Sequence, residues 1–260
     1  MIIWKCSRCP SFRRLLLTFL GGVFLVFVWY VLARIYAGKL VLPSPFETLS
    51  TLFGLLTSVI GWQTFGVTLL RVGAAIFAGG AVGLLLGIAA GLSQDLRWFL
   101  EPLRWVSMSI PPITVVVIAM LWLGVGSGLV VCFASVMLAP IVYVNTIKGF
   151  DLVDDRLLEM ATLYRFSLSM RVRRVYIPAL TVPLSAAAVQ VVCNAVRVTL
   201  LAEVIGSNNG MGAAISLANS TLELPTLFAW ILIAVLLVGL LESLLLGPMQ
   251  RRSEKWSKAK

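Results

Sequence analysis

The chain has 260 residues, 60% of them hydrophobic and 12% charged, with a mean hydropathy of +0.99 and a formal net charge of +10. Soluble domains run nearer half apolar and a quarter charged, so this composition excludes a water-soluble domain and implies an all-α, polytopic membrane bundle whose spans satisfy their own backbone hydrogen bonds. Histidine is absent altogether, which removes His-ligated haem and zinc and His general bases, and no residue set is predicted to hold a metal.

In chain order, a basic start (residues 1–14) precedes "LLLTFLGGVFLVFVWYVLA" (15–33), an uncharged run of spanning length; it is too long for a signal-peptide core and no small-residue cleavage site follows it, so it reads as a retained first span. Cys6 and Cys9 form a lone C-S-R-C pair without a second pair, and Cys132 and Cys193 fall in apolar runs as small core residues. Residues 40–61 open with two prolines, after which Thr48 or Ser50 is placed to cap a short interfacial helix. The second span (about 65–92) carries Gly79, Gly83, Gly87 and Gly91, preceded by Ala75 at the same interval. That spacing stacks small residues on one helix face, where a neighbouring backbone can come close, so their expected role is packing. A third span is predicted over about 106–123, disturbed by Pro102, Pro111 and Pro112. Glycines 124, 126 and 128 make a turn, and further spans follow at about 129–147, 179–205 and 225–246, six in all. The membrane domain is thus predicted over 15–247, with a tail at 248–260.

Six crossings put both termini on one side. If that side is cytoplasmic, 17 of the 21 Lys and Arg fall in inside segments, Arg71 and Arg197 lie in spans, and only Arg34 and Lys39 lie on or near the outside. This asymmetry sets the orientation and explains the positive charge without nucleic acid. Arg71, Arg197 and Glu203 are ionisable residues inside spans. They read either as lining an anion-compatible path or, as the simpler alternative, as an Arg–Glu pair or snorkelling side chains near the outer end, where little burial is needed. The outer segment "GSNNGMGAAISLANSTLELP" reads as a flexible, nearly uncharged turn or a contact for a partner.

The inside loop 148–178 is too rich in helix formers to be a linker. "LLEMATLYRF" and "SLSMRVRRVYI" read as two short helices, with Ser167 capping the second. The segment "EMATLYRFSLSMRVRRVYIP" places Glu159, Ala161, Val175, Ile177 and Pro178 at the spacing of E-A-A-x-x-x-G, nine residues, I-x-L-P, with Met160 for the second alanine and Arg165 for the glycine. With "LPSPFETL", "TLLRVGAAIFAGGAVGLLLGIAAGL", "SIPPITVVVIAMLWLGVG" and "AEVIGSNNGMG", the chain from about 42 to 256 resembles permease subunits of bacterial ATP-binding-cassette importers, in the nitrate, sulfonate and taurine branch.

The resemblance implies an inner-membrane transport subunit, not an enzyme, carrying a small anionic or polar solute. Its partners would be two ATPase subunits that bind ATP and Mg, a second permease copy in a homodimer, and an extracytoplasmic substrate-binding protein. Glu159, Ala161, Arg165, Phe166, Arg171, Arg173, Arg174 and Pro178 would then form the surface that docks on the ATPase. Arginine forks suit a partner's carboxylates and the apolar side chains suit a pocket, although basic loops also bind lipid headgroups. Arg165 should resist the positive φ that a glycine would adopt there. The chain has no G-x-x-x-x-G-K-[ST] pattern of its own. An ion-coupled secondary carrier is the alternative; the absence of a detectable inverted repeat weighs against it.

Overall fold

The computed structural model describes residues 12–35 and 42–257, and every regular element in them is helical. Cys6, Cys9 and Lys39 lie outside the described residues. Helix α1 (Phe12–Ile35) covers the first apolar run, and α2 (Pro45–Thr57) the predicted interfacial helix. The cap of α2 is neither Thr48 nor Ser50. Ser44 accepts from the Glu47 amide at 3.2 Å while the Glu47 carboxylate accepts from the Ser44 amide at 3.0 Å, a reciprocal capping box directly before Pro45. Thr48 is instead buried, its hydroxyl donating to the Ser44 carbonyl.

The body of the bundle is α3 (Val59–Leu92), α6 (Ser127–Asp151) and α9 (Ile177–Gly206), with α6 between the other two. Val72, Ala75, Leu138, Val142, Val191 and Val196 form their common core. α3 meets α6 along its glycines. A Cβ on Gly79 would lie 2.7 Å from the Ser135 carbonyl oxygen, one on Gly83 2.3 Å from that of Ala139, one on Gly87 2.6 Å from the Thr146 Cβ, and one on Gly91 2.3 Å from the Phe150 ring. No side chain fits these gaps, so the absence of a Cβ sets the distance between the two helices.

The third predicted span is not one helix. α4 (Gln94–Ser109) and α5 (Pro112–Leu123) meet at 102°. Pro111 holds Ile110 at ψ 129° and Pro112 holds Pro111 at ψ 133°, so two successive residues are driven out of the helical region. α4 is also inverted with respect to a soluble amphipathic helix. Trp98, Phe99, Leu103 and Trp105 point outward, while Arg97, Glu101 and Arg104 turn toward the bundle. There Arg97 pairs with Asp151 at 2.7 Å and Arg104 pairs with Glu101. Arg97 and Arg104, expected in a connecting loop, are therefore partly buried helix residues.

α7 (Asp155–Leu163) follows α6. α8 (Leu168–Arg171) then passes through a π segment (Val172–Tyr176) into α9, so the second short helix expected from the sequence is the beginning of a long one. Ser167 accepts from the Met170 amide at 3.4 Å. α10 (Met211–Ser220) and α11 (Leu224–Ser257) complete the chain, and α11 continues as helix past residue 247. Among the described residues four helices are long and apolar enough to cross a membrane, five if α4 and α5 form one bent span; the apolar part of α1, Leu20–Ile35, is shorter. Large apolar side chains cover the outside, Phe77, Leu121 and Trp122 each at least 80% exposed, as expected where the solvent is hydrocarbon. Cys132, read from the sequence as a core residue, faces outward with them.

Two neighbouring glycines test the α3–α6 contact. Gly83→Ala should destabilise the purified protein by about 1–3 kcal/mol through overpacking. Gly80→Ala, with nothing within 4 Å of its Cβ, should be neutral or stabilising by up to about 1 kcal/mol. Thermal midpoints of the two variants in detergent should therefore move in opposite directions or, at the least, differ clearly.

Candidate functional site

Polar chemistry collects at the two opposite ends of α9. At its Gly206 end, Arg71 and Glu203 form an ion pair at 2.7 Å, 4% and 0% exposed. The burial contradicts the expectation that these positions need little of it. The pair persists because its donors and acceptors are satisfied: Arg71 Nε donates to Ser127 Oγ at 3.1 Å, Nη2 to the same oxygen at 2.7 Å and to Asn209 Oδ1, and Nη1 to the Asn209 carbonyl at 2.8 Å. Glu203 accepts from Thr68 at 2.8 Å and from the Gly212 amide at 2.9 Å, while Thr68 accepts from the Met211 amide at 2.8 Å. Two of the otherwise unpaired amides of the first turn of α10 thus end on this cluster. A carboxylate at a helix N-terminus is also favoured by the helix dipole.

The stretch read as a flexible turn is therefore a helix anchored by its start. Gly210 adopts φ +96°, and a Cβ there would lie 2.4 Å from a Glu203 carboxylate oxygen, so only glycine lets the chain fold over the charge. Against the outer side of this assembly lies a groove of about 800 Å3 between α3, α10 and α11, with Gln63, Thr64, Asn208, Ser216 and Glu223 in its wall. Arg71 is not among its lining residues. Its guanidinium is committed to partners inside the protein. Arg197, by contrast, is exposed on α9 and makes no ion pair among the described residues. No group of three or more His, Cys, Asp or Glu among the described residues could hold a metal ion.

At the Ile177 end, α7 is capped by Asp154, whose carboxylate accepts from the Arg156 amide at 2.9 Å. It ends in a paired turn: the Phe166 amide reaches the Ala161 carbonyl at 2.8 Å and the Arg165 amide that of Thr162 at 3.0 Å. This is the Schellman geometry, and it places Arg165 at φ +51°. An arginine therefore occupies the left-handed position that the motif gives to glycine, and the turn survives the replacement. Ala161 is fully buried. Glu159 is exposed, as are Leu163, Tyr164, Arg165, Arg173 and Arg174, whereas Phe166 and Arg171 are half-buried. Arg171 is set apart from the other arginines by donating to Thr162 Oγ1 at 3.2 Å across the turn. Pro178 stands in the first turn of α9, where its missing amide is tolerated, and the Ile177 amide reaches five residues back to Val172.

A family model described as "Binding-protein-dependent transport system inner membrane component" matches residues 83–256. SsuC of Bacillus subtilis (strain 168), named for aliphatic sulfonates transport, is 25% identical over 241 residues, covering 89% of this chain and 84% of that one. The taurine transport system permease protein TauC of Escherichia coli (strain K12) is 25% identical over 257 residues, 96% and 92% of the two chains. An inward-facing structure of the MetNI methionine ABC transporter shares the fold, with a TM-score of 0.56 at 18% identity over 73% of this chain and 93% of that one.

Glu203→Met or Arg71→Met alone should destabilise by about 3–5 kcal/mol because each leaves a buried charge uncompensated, whereas the double change to methionine should cost less than the sum of the two, a non-additivity measurable in thermal melts. Arg165→Gly should stabilise the α7 turn by about 1 kcal/mol, read as slower proteolysis between residues 152 and 167.

Proposed function

The chain belongs to the binding-protein-dependent transport system inner membrane components, as the transmembrane subunit of an ATP-driven importer, and from that premise we propose that α7 and the turn after it couple it to an ATPase. Membership of this family leaves no place for the secondary-carrier alternative. The observation that carries the proposal is the surface of α7: a buried Ala161 and a closed turn hold the backbone, while Glu159, Leu163 and Tyr164 stand exposed among the described residues. A fixed helix with a mixed acidic and apolar face suits docking into a partner's groove. Arg156, Arg165, Arg173 and Arg174 lie at the same end, which supports a cytoplasmic location for it and for both termini.

ATP and Mg would be held by the partner ATPases, two per complex. A homodimer of this chain would form the translocation path, and an external binding protein would deliver a small polar or anionic solute. The relatives named for sulfonates and taurine support a sulfonate-like solute. Closure of the ATPases would bring the two α7 helices together and, through the continuous run from α8 into α9, shift the far ends of the spans. Helix α4 and the α3–α6 contact would move with them as packed units.

Glu159→Ala is the discriminating variant, because Glu159 bonds to nothing among the described residues and its loss leaves the fold alone. In proteoliposomes with the ATPase and the loaded binding protein, stimulated ATP hydrolysis should fall about 5- to 100-fold, with the thermal midpoint unchanged. Full stimulation in that variant would remove Glu159 from the coupling surface. Ala161 is a poor probe, since any larger residue there disturbs the turn itself.

A further inference from the structure

We infer that the face of α9 bearing Gln190, Asn194 and Arg197 lines the solute path and that Arg197 selects for an anionic group there; the inference rests on the importer reading above. The three residues are spaced i, i+4 and i+7, so they share one helix face. Gln190 and Arg197 are exposed, and Asn194 is half-exposed with its amide donating only to the Gln190 carbonyl within the helix. α9 is 30 residues long, about 45 Å. Counting back from Gly206, Arg197 lies about 14 Å from that end, Asn194 about 18 Å and Gln190 about 24 Å, at hydrocarbon depth.

Uncharged amides and a guanidinium at such depth cannot face lipid tails, where their hydrogen bonds would go unmade. Among the described residues no helix covers Gln190 or Arg197. The face therefore meets water, as a path does. Among the span residues with charge, Arg71 is neutralised by Glu203 inside the protein and Glu242 stands two residues from the end of the apolar stretch of α11. Lys148, Arg171, Arg173 and Arg174 stand within two turns of the ends of their helices, so Arg197 is the cation deep in the described spans that makes no ion pair, and amide side chains on the turns next to it supply donors that a sulfonate or carboxylate can accept from.

The test uses the full chain in membrane vesicles with its ATPase, after replacing Cys6, Cys9, Cys132 and Cys193 by serine and introducing Gln190→Cys or Asn194→Cys. Two thiol reagents of similar size serve as probes, the anionic 2-sulfonatoethyl and the cationic 2-(trimethylammonio)ethyl methanethiosulfonate. Both should react, the anionic one preferentially. Adding Arg197→Gln should lower the anion-to-cation rate ratio about tenfold, and Arg197→Lys should preserve it. Failure of either reagent to react at both positions would mean that lipid or a second copy covers the face, and would overturn the proposal. Reaction with a ratio indifferent to Arg197→Gln would overturn the selective role. ATP hydrolysis measured on the same vesicles reports the coupling reading separately, so the two can fail independently.

Discussion

The distance between α3 and α6 is the constraint from which the rest of the bundle follows. Four glycines in register let the Ser135, Ala139, Thr146 and Phe150 positions of α6 sit where side chains of α3 would otherwise be. In hydrocarbon there is no hydrophobic gain from bringing two apolar helices together, and packing contact must supply the association. α6 then presents its other side to α9, and the shared core of valines, alanines and leucine is continuous across the three helices.

The same closeness lets a charge pair exist within the bundle. Arg71 on α3 and Glu203 on α9 meet where Ser127 begins α6 and where the chain folds over as Asn209 and Gly210. Four segments are fixed to one another by a cluster in which the carboxylate and guanidinium are ringed by partners. A buried pair of this sort is weak evidence for net stability and stronger evidence for a single arrangement of its neighbours, since any other arrangement leaves a charge unmatched.

Much of this was legible before any coordinate. Runs of apolar residues locate the long helices, and the four-residue glycine period defines a face; that α6 is what the face meets depends on topology and could not be read. The 110–112 stretch showed that a helix was disturbed but not that it turned through 102°, because the angle arises from two extended residues in succession. Arg71 and Glu203 are 132 residues apart, so their pairing was one alternative among several and their burial was misjudged from depth alone. α10 was mistaken for a loop because Gly, Ser and Asn dominate its approach; the signal missed was the apolar run after Gly212. At Arg165 the expected aversion to positive φ yielded to two backbone hydrogen bonds that together close the turn.

The inward-turned charges of α4 have a mechanical consequence. Peeling this helix from the bundle would break the Arg97–Asp151 pair and uncover the half-buried Arg97 and Arg104, while its tryptophans already rest in the surroundings they prefer. Contacts with both α3 and α6 hold α4 to that end of the bundle, which leaves the proline corner at residues 110–111 as the break at which α5 can swing relative to it.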